Sequence, residues 1–570
     1  MKRPPAGRLI ALLVGMSLAL GGIVVRLAML QVRESGTYAA LGAEQRLRTE
    51  QLDATRAKIL DRTGSPLAVT LEARDVYADP SSVIDPVGES VQLATGLGLK
   101  SADVATELAT PDTTFVYIAR GIDVDVAARI ADLHLPGIGL LPSEKRSYPG
   151  GSIAAQVVGL VNVDGVGFTG LEQQYNTALT GTPGARTLEL SAMGQEIAGG
   201  VQIQQQPQPG GDLRLTIDRQ IQFQAQQYLR LAIRQNHAKG GTVIVMDPRT
   251  GEIYAMATCP SFDPNDFSHA DPSLLVNRAV TDTWEPGSVN KTITAGAALE
   301  SGAVSPTERF QVPATRDIEG YTIHDAEPHA TERMTLGDII AHSSNVGISM
   351  VADRTGNEAL QRTFQSFGFG SPTGVGFPGE AAGLMPSSND WSDITRATVS
   401  FGAGVAVSPL QMATVYATIA NGGVYVQPRL VQGTVGDDGS FSAAPAGAEH
   451  RVLSVDSTRT LTEMLAYAVQ DGTGYNAQIP GYQVAGKTGT AKKVDAQGNY
   501  IDRYVASFIG FLPASRPRVV VAAILDEPDT IYGGVASAPL FQHVARYAIQ
   551  RLGIEPSAPV ALPPHALPAP

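Results

Sequence analysis

Three short stretches carry side chains whose types and spacing could do chemistry together. They are Ser288-Val289-Asn290-Lys291, Ser343-Ser344-Asn345 and Lys487-Thr488-Gly489-Thr490. A serine alcohol with an ordinary pKa is a poor nucleophile and needs an adjacent base. Lys291 follows Ser288 by three residues, so both side chains leave one face of a helical turn. The lysine can act as base only when neutral. Lowering an amine pKa from about 10.4 to about 7 takes roughly 4–5 kcal/mol of differential destabilisation of the ammonium form. Desolvation in an apolar pocket plus a second cation can supply that, and Lys487 is the candidate cation. The chemistry such a set could do is acyl transfer through a serine ester. An S-x-x-K alone arises by chance about once in a chain this long, so it is the ordered set of S-x-x-K, S-x-N and K-T-G that is specific.

Each stretch needs an element to aim it. Trp284-Glu285-Pro286-Gly287 is a turn, and the apolar run after it predicts a buried helix beginning at about Ser288 and stopping at Ser301-Gly302. Its free N–H groups and positive end would face a bound ligand. Residues 334–342 read as an amphipathic helix running into a tight turn, where Ser343 could pass protons to a leaving group and Asn345 could hold a substrate backbone. Residues 482–491 alternate like a strand whose glycines admit a ligand backbone, which would bind an extended peptide by strand addition. On it Lys487 offers charge for a carboxylate, and Thr488 and Thr490, flanking Gly489, offer hydroxyls to orient it. The backbone N–H groups of Ser288 and Thr490 are the expected oxyanion hole. Taken singly, the three also read as a capping serine with an exposed lysine, an ordinary Ser/Asn cap and a Gly-rich edge strand.

With these motifs the chain resembles the class B penicillin-binding proteins, the monofunctional D,D-transpeptidases that cross-link peptidoglycan. The resemblance extends beyond the triad. Arg56-Ala57-Lys58-Ile59-Leu60-Asp61-Arg62-Thr63-Gly64 is similar to the family's R-G-x-I-x-D-R-x-G opening, with Ala57 where glycine is usual. Glu144, Arg146, Tyr148 and Pro149 match E-x-R-x-Y-P, and Gly170-Leu171-Glu172 with Tyr175 matches G-L-E-x-x-Y. Ser400-Phe401-Gly402-Ala403-Gly404, Val407-Ser408-Pro409-Leu410-Gln411 and Ala506-Ser507-Phe508-Ile509-Gly510-Phe511 resemble the septal, cell-division branch more than the elongation branch. The resemblance implies that Ser288 attacks the penultimate D-Ala carbonyl of a stem peptide ending in D-Ala-D-Ala, that a neighbouring stem-peptide amine resolves the acyl-enzyme, and that β-lactams stall at the ester. It also implies a membrane peptidoglycan polymerase and other division proteins as partners, and a serine β-lactamase-like catalytic fold.

The 570 residues suggest several domains. Hydrophobic residues at 43% suffice for real cores, while 60 glycines and 37 prolines point to many loops. A net charge of −13 argues against nucleic acid as partner. The single cysteine, Cys259, can form no internal disulfide. Lys2, Arg3 and Arg8 precede an apolar run over residues 9–25, and letting Arg26 snorkel extends it to residue 30, about 33 Å as a helix. That spans a bilayer with the basic N-terminus inside and all that follows outside. Ser17-Leu18-Ala19 could instead be a cleavage site, but the run exceeds a usual signal core, so an uncleaved single-pass anchor in a bacterial cytoplasmic membrane is expected.

The expected architecture is α+β. Residues 1–8 form a cytoplasmic N-terminus, 9–30 a transmembrane helix, 31–206 a helix-prone stalk (38–52) and elongated pedestal, 207–555 the transpeptidase domain and 556–570 a disordered Ala/Pro-rich tail. Residues 202–211, rich in Gln, Pro and Gly, read as a linker. Two strand pairs, 242–246 with 252–256 and 504–511 with 518–525, and helices at 219–236 and 541–552 imply an antiparallel sheet between helices. His324, Asp325, Glu327 and His329 fit no trusted metal spacing, so neither metal nor cofactor is expected, and loop residues over the cleft are the better reading. His342 reads as a helix-end histidine bonded to backbone rather than a base. Rivals sharing the triad are an elongation-type transpeptidase, a D,D-carboxypeptidase, a β-lactamase or a β-lactam sensor. No Glu begins the E-x-x-L-N segment that a class A β-lactamase would bring. A scaffold with a dead catalytic domain is the rival outside enzymes.

Overall fold

The computed structural model describes residues 6–557 apart from 192–194, 199–201, 269 and 496. Lys2 and Arg3, and the expected tail from residue 558 on, lie outside them. The chain divides into two compact units, Met1–Thr55 with Gly181–Gly210, and Arg56–Thr180 with Gly211–Pro570. Residues 56–180, expected to belong to the pedestal, thus pack in one unit with the catalytic segment.

In the first unit, helix Ala6–Ala28 continues through a π-turn, Met29–Arg33. This 28-residue stretch is long and apolar enough to cross a membrane. Helix Ser35–Arg46 follows, but the helix expected to reach residue 52 ends there. Leu47–Leu52 is instead a strand, paired antiparallel with Gly184–Glu189. Ladder bonds to a segment some 140 residues away override the helix propensity of Leu, Arg, Glu and Gln. Part of the expected linker is likewise a strand, Gln202–Gln205, on the other edge of Gly184–Glu189.

The second unit is built on two large sheets. The larger has Asp212–Leu215 parallel to Ile59–Leu60 and antiparallel to Val431–Val435, so one ladder joins distant stretches of chain. Beside it the early motifs converge. Arg56 Nε and Arg146 Nε each donate 2.8 Å hydrogen bonds to Glu172, whose side chain is fully buried. Removing one member of such a buried set leaves an uncompensated charge, typically about 3–5 kcal/mol. Asp61 Oδ1 accepts from Thr63 N and Ser65 N at 2.8 Å, and its Oδ2 accepts from Arg219 N at 3.2 Å. Ala57 is buried without a left-handed backbone, which is why alanine serves there.

The catalytic sheet is fully antiparallel, in the order Ile253–Cys259, Gly240–Met246, Val519–Asp526, Tyr500–Leu512, Ala485–Val494. Its central strands are buried on both faces and so read as continuous apolar runs rather than alternating ones. Val519, Val521, Ala523 and Leu525 meet helices Arg219–Gln235 and Ala538–Leu552, while Val520 and Ala522 belong to the core on the opposite face. On that second face lies Pro409–Ala420, with all twelve residues buried. Its start explains the Val407-Ser408-Pro409-Leu410-Gln411 segment: Ser408 and Gln411 form a capping box, with proline in the first turn.

Candidate active site

The helix expected at Ser288 begins as a 3₁₀ turn, Gly287–Asn290, and becomes α-helical at Lys291–Glu300. The tighter turn has three residues per turn, so Ser288 and Lys291 stand one above the other. Gly287 has φ +58°, and a Cβ there would lie 2.7 Å from the Thr490 carbonyl oxygen. Only glycine lets this turn lie flat against the Lys487 strand. Side chains lock the element from behind. Asn290 Nδ2 donates to Val399 O at 2.8 Å, Thr294 Oγ1 to Ser400 O at 2.8 Å, and Tyr416 Oη to Val289 O at 3.0 Å. Ser288 itself is half-buried.

The expected helix over 334–342 is shorter. Met334 and Thr335 end a strand, Glu332–Thr335, because the Thr335 side chain caps helix Leu336–Ala341 in a reciprocal box with Asp338. The chain then turns through Ser343, at φ +60°, into helix Asn345–Thr355. A non-glycine residue held left-handed stores backbone strain, which proteins concentrate at functional sites. The turn brings Ser343 onto the first motif: Lys291 Nζ bonds the Ser343 carbonyl and, at 3.1 Å, its Oγ. His342 is the C-cap residue, and its exposed ring meets Tyr467 edge-on.

Ala485–Val494 is the edge strand of the catalytic sheet. Lys487 Nζ lies 3.3 Å from both the carbonyl and Oγ1 of Thr488. Thr490 Oγ1 donates to Ile531 O at 2.9 Å. A Cβ on Gly489 would fall 2.4 Å from Ser507 Oγ and 3.0 Å from Val289 Cγ1, so this residue admits the Ser288 turn.

Lys291 and Lys487 both have no exposed surface. Burial drives the Lys291 amine down to about 7, with Asp325 pulling it back toward charge. Burial, helped by Lys291, also drives Lys487 well below its ordinary range. The repulsion expected between Lys487 and Lys291 acts on the pair, but burial is the larger cause. Desolvation lowers both, and the pair resists holding two charges at once.

Two groups at the site escaped the motif reading, and a third, Asp325, was expected only as a loop residue over the cleft. Thr473 Oγ1 lies 2.7 Å from Thr488 Oγ1, its N–H bonding the Ala341 carbonyl at the end of helix Leu336–Ala341. A G-T-G loop was its only sequence signal. Glu285 accepts from Gly404 N at 2.7 Å and from Tyr500 Oη at 2.9 Å, tying the turn before Ser288 to the Ser400-Phe401-Gly402-Ala403-Gly404 loop. Burial raises its carboxyl pKa. Asp325 bonds Asn345 and His329. Among the described residues no group of three or more His, Cys, Asp or Glu could hold a metal.

Residues 241–546 match the family described as penicillin binding protein transpeptidase domain, and residues 51–215 the penicillin-binding protein dimerisation domain. The chain is 37% identical to the peptidoglycan D,D-transpeptidase FtsI of Escherichia coli, covering 95% of this chain and 91% of that one. It is 36% identical to penicillin-binding protein PbpB of Mycolicibacterium smegmatis, over 96% and 90%. The crystal structure of penicillin binding protein 3 from Mycobacterium tuberculosis complexed with ampicillin superposes with a TM-score of 0.72 at 34% identity, covering 90% of this chain and 99% of that one.

Proposed function

The chain belongs to the class B penicillin-binding proteins, and on that premise we propose that it is a peptidoglycan D,D-transpeptidase of the division septum and a target of β-lactams. The observation that carries the mechanism is the Lys291 amine, fully buried and bonded to Ser343, on a turn packed against the Lys487 strand. A neutral amine has two N–H donors and one lone pair. Donating both to the Ser343 carbonyl and hydroxyl leaves the lone pair for the Ser288 proton. Ser288 Oγ then bonds the penultimate D-Ala carbonyl carbon, with the Ser288 and Thr490 N–H groups receiving the oxyanion. The C–N bond breaks as Ser343 relays a proton to the departing D-Ala amine. A stem-peptide amine attacks the ester, forms the cross-link and returns Ser288 its proton. Asn345 holds the donor backbone. Thr488, Gly489 and Thr490 receive it along the strand edge, and its carboxylate draws the charge onto Lys487.

Residues 207–555 are assigned as the catalytic domain, 31–206 as stalk and pedestal, and the N-terminal helix as an anchor with its N-terminus cytoplasmic. A membrane peptidoglycan polymerase is the expected partner. The test is a purified full-length chain given a D-Ala-D-Ala stem peptide and an amine acceptor, followed by mass spectrometry. Cross-linked product with stoichiometric D-Ala is expected. D-Ala without cross-link would mean a carboxypeptidase, and fast nitrocefin turnover a β-lactamase.

A further inference from the structure

Asn345 opens an eleven-residue helix, and a loop some twenty residues upstream holds it from two sides. Asp325 Oδ1 accepts from Asn345 N at 2.6 Å and from Val346 N at 2.9 Å, while Asn345 Nδ2 donates to the His324 carbonyl at 3.0 Å. The other Asp325 oxygen faces His329 Nε2 at 3.0 Å, and His329 Nδ1 faces the Ala330 carbonyl at 2.6 Å. Both histidine nitrogens thus point at oxygens that can only accept. A neutral imidazole has one N–H and can serve one of them, whereas an imidazolium serves both.

We propose that Asp325 and His329 are positioning residues of this site: Asp325 pins the helix start that aims Asn345, and His329 holds the other Asp325 oxygen against the Ala330 carbonyl. The inference rests on the transpeptidase reading above. Asp325 is the charge that opposes the burial of Lys291, and Lys487 is the other ionisable group coupled to that amine. His329 feels burial against it, then the Ala330 carbonyl, Asp325 and Glu332 in its favour, and the net direction is upward. The ring is only 14% exposed and Asp325 9%, so water screens the pair weakly.

The two substitutions should therefore move the same titration in opposite directions. Asp325→Asn removes the negative charge, the Lys291 amine loses its proton more easily, and the acid limb of penicillin acylation moves to lower pH by about one unit. Its plateau also falls about tenfold as Asn345 loosens. His329→Gln keeps a donor for Asp325 but removes the compensating charge, so the acid limb moves to higher pH. The experiment measures the acylation rate of the full-length chain by a fluorescent penicillin from pH 5 to 9, for wild type and both variants, with thermal unfolding as a folding check. Opposite shifts support the proposal. Unshifted midpoints in both, with or without a lower plateau, reduce the pair to plain structural contacts and overturn it. A wild-type chain that penicillin does not acylate overturns instead the function proposed above, and this inference with it.

Discussion

Ser288→Ala will take no covalent label from penicillin and form no cross-linked peptide, a loss of at least about 10⁵ in rate. Removing the nucleophile from a coupled set loses nearly everything the set contributes. The change should leave the fold intact, because the turn is held by Asn290, Thr294 and Tyr416 rather than by the serine. Peptide mapping of the wild-type adduct should place it on the Ser288 peptide alone. Cells relying on the variant should fail to divide, and normal division would favour the scaffold reading.

Lys291→Met will lower acylation by about 10²–10⁴, the usual contribution of a positioned general base, and will raise stability. The sign follows from linkage. Burial holds the folded-state pKa near 7, well below the unfolded value, so between those values the unfolded chain binds the extra proton. Stability therefore rises with pH from about 7 to about 10, and below 7 the buried amine lowers it by roughly 5 kcal/mol. Methionine removes that term and forfeits two hydrogen bonds to Ser343, about 1 kcal/mol each. A net gain of about 2–4 kcal/mol at pH 7, with a flatter dependence up to pH 10, should appear in denaturant unfolding. Loss of activity with unchanged or reduced stability at pH 7 would contradict the buried neutral amine.

The chemistry was legible because it is local. Ser288 and Lys291 are three residues apart, and Lys487, Thr488 and Gly489 are contiguous. Period and length sufficed for the 219–236 helix and for the Gly240–Met246 and Ile253–Cys259 hairpin. What escaped was decided at a distance. Leu47–Leu52 has a helix-forming composition and becomes a strand through Gly184–Glu189. Arg56, Arg146 and Glu172 were visible as motif letters, but their meeting in one buried ion network was not. Thr473 carries no spacing that marks it, and Asp325 was legible only as a loop residue over the cleft, since each reaches the site through a loop packed on another element. The charge of Lys487 was legible, but its full burial, the larger cause for both amines, was not.

The claim that bears the rest is that Ser288 is activated by an uncharged Lys291, and the acylation rate of the wild-type chain as a function of pH measures it most directly. With an uncharged Lys291 as base, the rate climbs as one proton leaves a group with a midpoint near 7 and then levels off. A rate flat down to pH 5, or one still climbing beyond pH 9, contradicts it.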